Sequence, residues 1–192
     1  YTDIETQLGK DAQVWPGIEL DVVHAGARAH LLVIVSPKLA KEFAAAATAL
    51  TGRSTPDTFT TSIEEVLAKF DSFKPLYVAH YKKNPSLSDE ALAQLVAGTK
   101  NPACVVKEVS NSISAGIYIS HGHPSIYGSD VQDWAKYEEI SRQLPDLRLP
   151  VDSFEHFCLL LKKDPTAINT TLNKKTSEEL TLTLFDGSTI LK

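Results

Sequence analysis

Two runs decide the fold class. The first is Pro16-Gly17-Ile18-Glu19-Leu20-Asp21-Val22-Val23. The second, after a His24-Ala25-Gly26-Ala27 turn, is Ala29-His30-Leu31-Leu32-Val33-Ile34-Val35. The first run alternates apolar and polar residues, the pattern of a strand with one face on a core. The second is a nearly unbroken run of leucine and β-branched residues, the look of a strand buried on both faces, as in a parallel sheet. Ser36-Pro37 then offers an N-cap and a first-turn proline, which predicts a helix to about Leu50.

Working outward, strand and helix patterns keep alternating. Residues 52–61 form a polar loop. Ser62 caps a helix through about Phe70, with Glu65 completing a capping-box pattern. Leu76-Tyr77-Val78-Ala79-His80 reads as a short strand. Ser88 starts a helix with Ala91, Leu92, Leu95 and Val96 on one face, ending at Gly98. Cys104–Val109 is the next strand, and Gly116–Ile119 and Ser125–Gly128 are shorter strand candidates. From Asp130 the character changes. Val151–Lys163 reads as a helix with Phe154, Phe157, Cys158 and Leu161 on one stripe. A polar, linker-like segment leads to Leu180–Leu184, an Asp186-Gly187 turn signal and a return strand at Thr189–Leu191.

The alternation predicts an α/β domain with a mostly parallel sheet. No GxGxxG or GxxxxGK[ST] motif occurs, so a closed or distorted barrel is more natural than a doubly wound nucleotide-binding sheet. Residues 1–150 are assigned to this domain, and 151–192 to a C-terminal helix, linker and hairpin. The chain starts at Tyr1, shows no signal-peptide pattern and contains no methionine, so further sequence is expected upstream. Its stop within a return strand carries the expectation of a following domain.

Composition narrows the function classes. The chain has 192 residues, 43% of them hydrophobic and 22% charged, enough to bury a sizeable core. No apolar run approaches about 18 residues, so no membrane span is expected. The most apolar segment, Ala40–Leu50, reads as a buried helix. Nineteen basic against 24 acidic residues give a net charge of −5. That argues against holding nucleic acid through a broad basic field, while leaving room for a local basic rim. Cys104 and Cys158 stand in apolar contexts without a CxxC pair, which reads as two buried thiols in a reducing, cytoplasmic setting.

In barrels the chemistry gathers at the C-terminal ends of the strands. Four metal-ligand residue types stand beside apolar strand runs: Glu19, His30, His80 and Asp130. A divalent metal needs such carboxylates and neutral imidazoles converging from several strands. Taken singly, each also has a plain structural role. Glu19 fits the solvent face of an alternating strand, His30 and His80 fit satisfied core histidines, and Asp130 fits a turn.

The strings Val-Trp-Pro-Gly-Ile-Glu-Leu, Arg-Ala-His-Leu-Leu-Val-Ile, Tyr-Val-Ala-His and Tyr-Gly-Ser-Asp-Val-Gln-Asp-Trp, in that order, resemble the PHP (polymerase and histidinol phosphatase) family of metal-dependent phosphoesterases. The resemblance covers about Val14 to Trp134. It implies a distorted (βα)7-type barrel, here truncated at the N-terminus, with a di- or trinuclear manganese, zinc or iron site. Glu19 would be a catalytic and possible bridging carboxylate, with His30, His80 and Asp130 as further ligands and Asp130 also catalytic. The run from Asp130 through Leu144-Pro145-Asp146-Leu147 to Ser153-Phe154-Glu155 resembles PHP modules fused to a large ATPase. That implies a nuclease or phosphoesterase module of a nucleic-acid-processing or phage-defence ATPase.

Two departures matter. The family's opening His-x-His strand and the following Asp-His are absent from this chain. The last motif, normally Asp-x-His, is Asp130-Val131-Gln132. A glutamine amide oxygen is neutral and a weak donor beside imidazole nitrogen, so at least one metal position is weakened or catalysis is lost. His121 and His123 either chelate, compensating for Gln132, or lie in a solvated or substrate-contacting loop. Arg28, Lys82 and Lys83 are either phosphate contacts at the site mouth or simply solvated. The alternatives are a degenerate PHP fold serving as a sensor or docking domain, and an unrelated α/β binding domain.

Overall fold

The computed structural model describes residues 13–52, 59–81, 85–109, 113, 117–118, 120, 124–127, 134–136, 151–164, 181–183 and 189–191. Asp130, Gln132, His121, His123, Lys82 and Lys83 lie outside these residues.

The first turn sets the first strand pairing. Ala25 and Gly26 both have positive φ, 50° and 80°, the combination that a two-residue type I′ hairpin requires. Strand β1 (Gly17–His24) therefore folds back antiparallel on β2 (Ala27–Ile34), with Leu20 opposite Leu31 and Asp21 opposite His30. Strand β3 (Leu76–His80) runs antiparallel to β2. Strands β4 (Val105–Val109) and β5 (Ser125–Tyr127) follow in parallel. The spatial order is β1-β2-β3-β4-β5.

The α/β class stands, but the sheet is mixed rather than mostly parallel. The apolar run of β2 suggests a parallel strand because it carries apolar residues toward both faces. Both of its neighbours are antiparallel. Its burial comes from helices on both sides of the sheet, and an unbroken apolar run reports that cover without fixing strand direction. Among the described residues the sheet is open, and closure into a barrel is not shown.

Helices α1 (Ala40–Thr51), α2 (Ile63–Phe70) and α3 (Asp89–Gly98) cover one face. Their Phe43, Ile63, Val66, Phe70, Ala91 and Leu95 pack with Leu20, Val22, Leu31, Val33, Tyr77 and Ala79 of the strands. Ser62 and Glu65 form the reciprocal capping box at the start of α2. Helix α4 (Phe154–Lys163) covers part of the opposite face, packing Phe154, Phe157 and Leu161 on Leu32, Ile34, Leu76, Val78 and Val106.

Three local expectations change. Helix α1 forms, but Phe43 is its one fully buried residue. It lies on the outer surface of its layer, with several alanines facing solvent. Ile117 and Tyr118 are helical rather than extended, and Cys104 closes a 3-10 turn (Pro102–Cys104) ahead of β4. The C-terminal hairpin is present as β6 (Thr181–Thr183) paired antiparallel with β7 (Thr189–Leu191). Among the described residues no helix is long and apolar enough to cross a membrane.

Candidate metal centre

Side chains alternate across a strand, so the core assignments fix which residues share a face. Leu20 and Val22 of β1 and Leu31 and Val33 of β2 point toward α1, α2 and α3. Glu19 and Asp21 on β1, and His30 on β2, therefore point to the other face, the one α4 partly covers. On β3, Val78 packs toward α4, and His80 stands two residues on. On β4, Val106 packs toward α4, and Glu108 stands two residues on. The register brings these positions side by side. Asp21 is opposite His30, and His80 is opposite Glu108. Leu31 opposite Ala79 places His30 next to His80, and their ring centroids are 5.1 Å apart. The C-terminal ends of β3 and β4 thus carry a polar row on a sheet face that is otherwise apolar.

Glu19, His30 and His80 each offer one ligand atom, and these atoms all lie within 4.8 Å of one another. Glu19 Oε1 is 3.0 Å from His30 Nδ1 and 3.9 Å from His80 Nε2. Metal–ligand bonds of about 2.0–2.2 Å set neighbouring donors roughly 3–4 Å apart, so the spacing suits a single cation. One carboxylate and two imidazoles suit zinc, manganese or iron. Exposure falls from Glu19 (54%) through His30 (31%) to His80 (8%), so the cluster opens to solvent on one side and closes into the sheet on the other. His80 Nδ1 is buried and has no hydrogen-bond partner among the described residues.

Two carboxylates that the sequence reading did not single out flank the cluster. Asp21 Oδ1 comes within 3.0 Å of His30 Nε2 without hydrogen-bond geometry. Its other oxygen accepts from Arg28. The Arg28 hydrogen bond and charge, aided by His30, hold the Asp21 carboxyl below its usual range against the opposing effect of burial. Glu108, also buried, lies 2.7 Å from His80 Nε2. Both were open to discovery in the sequence. Asp21 stands one alternation step beyond Glu19, and Glu108 is a charge inside an apolar strand.

Of the sequence-predicted residues, Glu19, His30 and His80 come together. Arg28 lies at the edge of the cluster, paired with Asp21 rather than standing as an isolated cation. His24 is half-buried at the hairpin turn, and His156 is exposed beside Asp152, with Nδ1 3.1 Å from its Oδ1. Comparison with protein-family models, with curated proteins and with solved structures gives no match.

Proposed function

We propose that this chain is a PHP-type metal-dependent phosphoesterase module in which Glu19, His30 and His80 hold a divalent cation. One observation carries the reading. Three residues picked out as ligands in the sequence lie on three different strands and converge to within 4.8 Å. Strand β5 runs parallel to β4, so its C-terminal residue Tyr127 lies at the same end of the sheet as His80 and Glu108, and Asp130 follows it in the chain. A distorted barrel, further ligands from Asp130 and upstream sequence, and attachment to an ATPase belong to the same reading.

When bound, manganese, zinc or iron supplies an acidified water and neutralises charge on phosphoryl oxygens. The chain's own residues do the rest. Glu19 presents an anionic oxygen at the solvent side. His30 and His80 present ring nitrogens held by strand pairing rather than by loops. Asp21 and Glu108 add negative charge beside the two rings, which favours a cation over an empty pocket. The nearby Arg28 guanidinium offers positive charge at the edge where a phosphate would approach.

Gln132 favours a second reading, a PHP fold that keeps a cation but not catalysis and serves as a docking or sensor domain. Calorimetric titration with manganese and zinc, run beside hydrolysis of bis(p-nitrophenyl) phosphate, separates the two. The phosphoesterase reading expects saturable metal uptake and metal-dependent hydrolysis, both lost in Glu19→Gln. Uptake without hydrolysis supports the docking domain. Absence of uptake overturns both.

A further inference from the structure

Cys104 closes the turn before β4, and Cys158 sits in the middle of α4. They are the chain's only cysteines, and neither is in a disulfide. Far apart in sequence, they meet in the apolar layer between the sheet and α4. The Cys104 thiol lies 4.0 Å from the Cys158 backbone carbonyl oxygen. Both line one cavity of about 360 Å³, whose walls also include Ser36, Phe73, Glu155 and Lys162. The pair lies on the same sheet face as the metal cluster, about four residues or roughly 13 Å back along β4 from Glu108.

We propose that Cys104 and Cys158 form a peroxide-sensitive dithiol, which hydrogen peroxide entering this cavity converts to a disulfide that fastens α4 to the sheet. The Cys104 thiolate attacks one peroxide oxygen. An S–O bond forms, the O–O bond breaks, and the departing hydroxide takes up the proton that Cys104 released. Cys158 sulfur then attacks the sulfenic sulfur of Cys104. An S–S bond forms, the S–O bond breaks, and the hydroxyl leaves as water with the Cys158 proton. Two thiols and one peroxide become one disulfide and two waters, with sulfur oxidised and peroxide oxygen reduced.

The surroundings set the order of attack. The neighbouring Cys158 thiol, with help from the Lys162 charge, eases ionisation of Cys104 against burial. The closeness of Cys104, together with burial, holds the proton on Cys158. Since the thiolate is the nucleophile, Cys104 is oxidised first and Cys158 resolves. Both cysteines line that cavity, whose volume of about 360 Å³ has room for hydrogen peroxide.

The test is peroxide oxidation of the wild-type protein, native and in urea, followed by acid quench, thiol counting and intact mass. The native protein is expected to lose both thiols and two hydrogens of mass, remain monomeric on a non-reducing gel, and react at least about tenfold faster than the urea-unfolded chain. Cys158→Ser should stop at a dimedone-trappable sulfenic acid on Cys104, and Cys104→Ser should react at least about tenfold more slowly than wild type. Equal native and unfolded rates would overturn the proposal, as would intermolecular disulfides or sulfinic acids as the main products. The native-to-unfolded comparison needs no variant, so it decides the matter even where a serine variant fails to fold.

Discussion

His80 and Glu108 face each other across the parallel β3–β4 ladder, with His80 Nε2 2.7 Å from Glu108 Oε2. The same nitrogen is 3.9 Å from Glu19 Oε1. A ring nitrogen between two carboxylates sits in a field that favours a cation. Glu108 faces the ligating nitrogen itself, where a further ligand to the same cation would stand, so loss of its charge should weaken binding by at least about tenfold. Glu108→Gln keeps the shape and removes the charge. Manganese or zinc affinity measured by calorimetry should fall by at least that factor, with an unchanged far-ultraviolet circular dichroism spectrum. Affinity within about threefold of wild type would place Glu108 outside the metal centre.

Glu19 and His80 should separate binding from stability. The Glu19 side chain is 54% exposed and belongs to neither apolar cluster. Glu19→Gln should cost about 0.5 kcal/mol or less in stability while abolishing metal uptake. His80 is buried between Glu108 and the neighbouring strand. His80→Ala removes the partner of a buried carboxylate, so it should cost about 1–3 kcal/mol as well as metal uptake. Denaturant unfolding of the metal-free variants measures both. Equal costs would mean that the burial gradient across the cluster does not matter to the fold.

The parts of this molecule that were legible in sequence rest on local rules. Ser62 and Glu65 announced their capping box, Ser88 its helix, and Ala25-Gly26 its turn, because each is decided within a few residues. Glu19, His30 and His80 were legible because ligand types interrupt apolar runs. Strand direction in β2 was not legible, since burial on both faces produces the same apolar run for either direction. The pairing of Cys104 with Cys158 was also hidden. It depends on how α4 docks across the sheet, and no spacing within the chain encodes that. Asp21 and Glu108 were visible as charges but acquired meaning only when the register set them beside His30 and His80.

The start of α2 offers a test of pH dependence away from the metal centre. The Glu65 carboxylate accepts from Thr61 Oγ1 at 2.8 Å and from the Ser62 backbone N–H at 3.2 Å. These two bonds, Thr61 first, hold its carboxyl below the ordinary value of 4.5. A depressed folded value means that the folded state binds fewer protons than the unfolded chain as pH drops. The contribution is therefore complete above about pH 4.5 and disappears as pH falls through the lower folded value. The stability gap between wild type and Glu65→Gln should be open near pH 7 and close as the pH falls well below the ordinary value of 4.5, as read from urea midpoints. A gap that does not change with pH would remove the carboxylate from the cap. Ser62→Ala, which breaks the other half of the box, should cost about 1 kcal/mol.

Helix α4 carries the last prediction, because it joins the metal face of the sheet to the chain's later residues. Phe154, Phe157 and Leu161 recur at helical spacing on its buried side. Trp15, just ahead of β1, packs edge-on against Phe154 at 5.3 Å between centroids, and against Phe157 at the same separation. Glu155 adds polar ties beyond the apolar stripe. It accepts from Ser36 Oγ at 2.7 Å and pairs with Lys38 at 3.2 Å. A helix held this way unfolds with the sheet rather than ahead of it. Phe157→Ala should therefore cost about 3–5 kcal/mol and lower the midpoint of one cooperative transition, followed both by far-ultraviolet circular dichroism and by tryptophan fluorescence. Leu159→Ala, at a position 49% exposed, should stay within about 0.5 kcal/mol of wild type. If Phe157→Ala instead produced an early, separate loss of helix with the main transition unmoved, α4 would be an appendage. The disulfide proposed between Cys104 and Cys158 would then join two independently folding parts.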